Sequence, residues 1–195
     1  MKKHFKYLVV LSLLFLSCGQ FKSYHFLEAG GIRANSPNFK FADIPSNYRD
    51  TTLIDINAIY VQKVHNAVVG PYVIDTSYSF IKFFKNGQIF LSIGYKHFPT
   101  IDEINNYNAG DIGYYKIVDD EIIAEVFRIR YPGSFWGCND YNYYKIMDNE
   151  TIKLYAQKEY VAALVPYKRL ISDVYCDIYK KYKIKSFMLV AEPDW

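Results

Sequence analysis

From Tyr78 to Ile93 the side chains change character at every second residue. Tyr78, Phe80, Lys82 and Phe84 alternate with Ser79, Ile81 and Phe83; Asn86-Gly87 follows, and Ile89, Leu91 and Ile93 run back. Side chains of a strand point alternately to opposite faces, and Asn-Gly suits the positive φ values of a type I′ turn. The stretch therefore predicts a β-hairpin, the strongest local signal in the chain.

The same alternation recurs on either side. Ile54, Ile56, Ala58 and Tyr60 interleave with Asp55 and Asn57, which predicts a first strand starting near Leu53. Thr100 and Glu103 form a capping box, and Ile101, Ile104 and Tyr107 share a face up to Gly110, which predicts a short helix. Tyr114 to Val118 and Ile122 to Tyr131 read as strands around an Asp119-Asp120 turn, the second broken by Pro132-Gly133. Tyr141 to Met147 and Thr151 to Tyr155 read as a further hairpin around Asp148-Asn149. Ser172 to Lys181 fits either a short helix or an irregular strand, and Ile184 to Val190 a closing strand. The chain carries 20 Tyr and 14 Phe, residues that favour a pleated, half-buried surface. The expectation is a mostly β fold of about eight antiparallel strands with one or two short helices.

Three stretches carry a resemblance. They are Tyr78 to Ile89 with its Asn86-Gly87 turn, Gly113-Tyr-Tyr115-Lys-Ile117, and Glu150-Thr-Ile152-Lys-Leu154. Together they resemble small lipocalin-like lipoproteins of bacteria, over roughly residues 53–155. The resemblance implies a lipocalin-like barrel or strongly curved sheet and no particular activity.

The front of the chain is organised differently. A short basic region, MKKHFKY, precedes an apolar run from Leu8 to Leu16 that only Ser12 interrupts, the layout of a secretory signal. At about half the roughly 20 residues needed to span a bilayer, it is too short for a membrane helix. Ser17-Cys18 at its end resembles the lipobox of bacterial lipoproteins, with Phe15 where leucine is usual and Leu16 larger than the pattern prefers. That resemblance implies a signal peptide over residues 1–17 and a diacylglyceryl thioether on Cys18, with a further chain such as palmitate on its amino group. Gly19 after the cysteine, in place of Asp, implies the outer membrane of a double-membraned bacterium. Residues 18–50, with Gly30-Gly31, Pro37 and Pro45, read as a tether and irregular N-terminal segment, parts of which pack on the domain through Phe26, Phe39 and Phe41. Residues 51–195 are expected to form a single β domain.

Lys2, Lys3 and Lys6 hold all the excess positive charge, so the residues from Cys18 onward balance 20 basic against 20 acidic side chains. A neutral chain without a large basic cluster argues against nucleic acid as a partner. No metal-ligand motif, nucleophile elbow or phosphate-cradling loop occurs, so no cofactor and no catalytic set is expected. Cys138 and Cys176 are either a disulfide, as export allows, or two buried thiols. A thiol nucleophile from Cys138 with His65 or His97 is the weaker alternative.

Phe135, Trp136, Asn139 and Asp140 lie in a glycine-bearing aromatic loop. They either offer stacking faces and polar handles to a ligand at a barrel mouth or fold over the core as a plug. The functional expectation is a lipid-anchored cell-envelope module that binds a small apolar or amphipathic molecule. A structural or assembly accessory docking on another envelope protein is the alternative, and an envelope hydrolase would need converging polar residues in one cleft.

Overall fold

Alternating strands become a barrel here because each finds a partner on both of its edges. The computed structural model describes residues 22–45, 48, 52–69, 72–129, 134–161, 165–170 and 177–185. Along them run β1 (Tyr24–Phe26), β2 (Ile32–Ala34), β3 (Ala58–Val69), β4 (Tyr72–Phe83), β5 (Gln88–Ser92), α1 (Ile101–Ile104), β6 (Gly110–Val118) and β7 (Glu121–Ile129). There follow β8 (Gly137–Asp148), β9 (Thr151–Val161), β10 (Val165–Leu170) and β11 (Asp177–Lys183). Strands β3 to β9 pair in sequence, and β11 joins β9 back to β3, so eight antiparallel strands close a barrel. The far edge of β9 is divided: Thr151 to Leu154 pair with β11, and Ala156 to Val161 with β10.

Register decides which side chains enter the barrel. Tyr60 pairs with Ile81, Ile81 with Leu91, Tyr115 with Ala124, Ile122 with Tyr144, and Ile152 with Tyr179, and all of these belong to one buried cluster. Its aromatics meet edge to face: Tyr60 on Phe83 at 5.5 Å and Phe83 on Tyr115 at 5.0 Å between ring centres. Such pairs add about 0.5–1.5 kcal/mol each beyond the area they bury. Ile54 caps this end from the segment before β3, where Tyr60 Oη accepts the Asp55 N–H at 2.9 Å. The first strand thus begins four residues after Ile54, at Ala58, because Ile54 is used as a plug.

Two further details differ from the sequence expectation. Gly87 has φ 88° but Asn86 does not share the positive φ that a type I′ turn requires. Instead Gly87 N–H donates to the Phe84 carbonyl and Phe84 N–H to the Gln88 carbonyl, both at 3.0 Å, which is a type I turn closed by a glycine bulge. At the C-terminal end, Asp177 to Lys183 is a strand and not a helix, because β9 and β3 each offer it an open edge. Residues 171–176 and 186–195 lie outside the described residues, and so does most of the expected closing strand at 184–190. The capping box forms as expected: Thr100 N–H donates to Glu103 Oε2 at 2.8 Å, and Glu103 N–H to Thr100 Oγ1 at 3.3 Å.

Outward-facing residues are not all left to solvent. The β5–β6 connection with α1 covers Phe80, Phe84 and Phe90 by means of Tyr95, Ile104 and Tyr107. On the neighbouring face, residues expected to be mainly tether form the β1–β2 hairpin and a loop, and Tyr24 and Phe39 pack there on Phe127 of β7. Glu125 fastens this layer. Fully buried, it accepts the Phe41 N–H at 2.9 Å, Asn139 Nδ2 at 3.0 Å and the Tyr141 hydroxyl at 3.2 Å. An amide in its place turns an acceptor into a donor against those groups. Glu125→Gln is therefore expected to lower stability by about 1–2 kcal/mol, read from urea unfolding midpoints.

Candidate functional site

The barrel interior changes composition along its axis. Beyond the aromatic cluster, toward the end where β7 joins β8, the inward positions become Gln62, Ser77, Ser79, Asp111, Arg128, Cys138, Asp140, Asn142, Gln157 and Asp177. A bulge between Tyr143 and Tyr144 shifts the β8–β9 register and brings Gln157 opposite Asn142. Gln157 Nε2 then donates to Asn142 Oδ1, and Asn142 Nδ2 to the Tyr144 hydroxyl, both at 3.2 Å. On the opposite wall Ser79 Oγ donates to Gln62 Oε1 at 3.1 Å, while Gln62 Nε2 donates to Asp177 Oδ1. Arg128 Nε donates to Asp111 Oδ2 at 2.9 Å across the β6–β7 pair.

The electrostatics follow from the setting. Burial raises the Asp177 carboxyl above its ordinary range, and Gln62 only partly offsets this. Burial alone would lower Arg128, but the charge and hydrogen bond of Asp111, helped by Tyr144 and Asp140, leave it raised, so it stays cationic. Burial pushes Tyr144 up to about 12, so its hydroxyl remains a neutral donor. Three aspartate side chains share this space with one guanidinium. The Arg128 and Asp111 side chains are each 30% exposed, so water reaches the pair.

No known protein family, curated protein or solved structure matches this chain.

The residues singled out in the aromatic loop separate in the structure. Asp140 faces inward, 3.6 Å from Cys138 Sγ. Asn139 points the other way, donating to the Asn38 carbonyl at 2.8 Å and to Glu125. Phe135 and Trp136 stand in solvent and neither plug the core nor line its interior. Cys18 and Cys176 lie outside the described residues, and with them the expected anchor and the choice between a disulfide and two thiols. His97 pairs with Glu103 at 3.1 Å beside α1 on the outer face, away from the inward-facing Cys138. Among the described residues no group of His, Cys, Asp and Glu could hold a metal ion, and no helix is long and apolar enough to cross a membrane.

Sequence reasoning missed Gln62, Asp111, Arg128, Asn142 and Asp177. A signal existed in the polar residues on the face that carries Tyr60, Tyr115, Val126 and Tyr144, but only the register shows that this face turns inward. It also missed a groove of about 510 Å³ between the N-terminal layer and β6, lined by Leu27, Phe39, Ile112 and Tyr114 among others. Arg33 borders that groove, yet its guanidinium is turned to the Ile32, Tyr107 and Gly110 carbonyls.

Proposed function

We propose that this protein is a lipid-anchored cell-envelope module that holds a small amphipathic molecule in the polar half of its barrel. The reading rests on one observation, the division of the interior into an aromatic end filled by side chains and a hydrogen-bonding end where the Arg128–Asp111 pair is partly exposed. Eight-stranded barrels either fill their interior or hold one small ligand, and this one has the makings of each at opposite ends. A ligand with N–H donors or positive charge at its polar end would meet Asp111, Asp140 and Asp177. The Arg128–Asp111 pair excludes a purely apolar guest by the cost of stripping its water. The anchor on Cys18, and a place in the outer membrane, belong to the same proposal.

Native mass spectrometry of the full chain, released from membranes in mild detergent, tests it. A non-covalent adduct of defined mass is expected on the wild type. Asp140→Asn should lower adduct occupancy about tenfold or more, the effect of losing one hydrogen bond to a charged group. A bare mass for the wild type would refute the binding reading.

A further inference from the structure

The described chain begins against the β7–β8 connection. Ser23 N–H donates to the Phe135 carbonyl at 3.1 Å, and Gly137 N–H donates to Ser23 Oγ at 2.9 Å. The Tyr24 hydroxyl donates to the Ser134 carbonyl at 2.6 Å. The loop is also braced internally, Ser134 Oγ donating to the Trp136 carbonyl at 2.8 Å. This bracing holds two large aromatics out in water: Phe135 is 47% exposed and Trp136 66%, the highest value for a large hydrophobic among the described residues. Phe26, packed on Tyr24 at 5.4 Å between ring centres, is also exposed on β1.

Cys18 precedes Ser23 by five residues. An extended chain covers at most about 3.6 Å per residue, so an anchored Cys18 lies within about 18 Å of the loop to which Ser23 is bonded. We propose that Phe135 and Trp136 dock on the lipid surface that holds Cys18, turning the polar mouth of the barrel toward the membrane. The proposal rests on the lipid-anchor reading above.

Several observations favour a lipid surface as the occupant. The tether keeps this face near the bilayer whatever the protein does, and at such short range weak contacts are formed for most of the time. Tryptophan prefers the boundary between headgroups and acyl chains, where its ring is apolar and its N–H is wet. Lys22 is exposed at the same corner and no acidic residue precedes Glu28, so the segment that leads to the anchor carries positive charge toward anionic headgroups. Arg128 and Cys138 stand where β7 and β8 meet this connection, so docking would also let an amphipathic guest enter without crossing open water.

The test uses the full acylated chain in vesicles of phosphatidylethanolamine and phosphatidylglycerol that carry a spin label just below the headgroups. Tryptophan emission is compared between the wild type and W136F, which isolates Trp136 from Trp195 without disturbing a buried site. The Trp136 component is expected to shift to shorter wavelength and to be quenched about twofold, as for a ring lying 5–10 Å into the interface. Should the intact mass show the acyl chains and the protein float with vesicles while Trp136 stays unquenched, docking is overturned, the anchor stands, and the aromatic face is left for a protein partner. A mass without acyl chains and no flotation would overturn both readings.

Discussion

Gly113→Ala is expected to destabilise the barrel by about 4 kcal/mol, enough to abolish a cooperative unfolding transition in a marginal domain. A Cβ built on Gly113 would meet the Glu125 carbonyl oxygen at 1.9 Å and the Val126 Cα at 3.0 Å. Both belong to the backbone of β7, so no side-chain rotation relieves the clash. β6 and β7 must separate where Gly113 pairs with Val126, beneath the fully buried Glu125. Urea unfolding followed by circular dichroism measures the loss; a variant within 1 kcal/mol of the wild type would show that the two strands can part cheaply.

Lys82→Met is expected to act in the opposite direction. Lys82 is 2% exposed on the outer face of β4, with its ammonium 5.0 Å above the rings of Phe84 and Tyr107 and donating to the Tyr107 hydroxyl at 2.5 Å. Burial lowers its pKa from 10.5 to about 8. Below pH 8 both folded and unfolded chains carry the proton, and the folded state bears the whole cost of the buried charge, about 3 kcal/mol at 1.36 kcal/mol per pKa unit. Between pH 8 and 10.5 the unfolded chain binds more protons than the folded one, so stability rises with pH.

Tyr107 runs the other way. Burial moves its phenol from 10.0 to about 12, so from pH 10 to 12 the folded chain holds a proton that the unfolded chain loses, and stability falls. The wild type is therefore expected to be most stable near pH 10, an unusual position for a globular domain. Lys82→Met should remove the rise between pH 8 and 10, keep the fall above it, and gain about 2–3 kcal/mol at pH 7, some of the relief being given back at the Tyr107 hydroxyl. Unfolding midpoints at pH 7, 8.5 and 10 decide this; a flat wild-type profile would mean that the amine is better solvated than its burial implies.

Which elements were legible depends on how local their causes are. The Tyr78–Ile93 hairpin, the Thr100–Glu103 capping box and the Tyr114–Val118 strand are specified by residues a few positions apart, and each forms where the sequence places it. The turn type at Asn86-Gly87 was not legible, because the dipeptide serves both a two-residue turn and a bulged loop. β1 and β2, three residues each, are too short for alternation to show, and Tyr24 and Phe39 are held by Phe127, about 90 to 100 residues away. β11 carries charged residues on both faces, Asp177 and Lys181 on one and Lys180 on the other, so only the open edges of β3 and β9 reveal it as a strand. The candidate site is hardest of all. Its residues come from seven of the eight barrel strands, and nothing in the spacing of Gln62, Arg128 and Asp177 announces that they share a wall.

The division of the β9 edge between β11 and β10 governs when the barrel can exist. β3 waits for β11, more than a hundred residues later, and until β11 arrives the first half of β9 has a partner on one edge only, β8. Closing so long a loop makes folding slow relative to helical domains, and a chain emerging with its N-terminus first would expose both unpaired edges until its last strand is free. A truncation just before Asp177 would therefore lose far more than one strand. It would leave an open sheet with two sticky borders, and the molecule's main hazard would become aggregation during assembly.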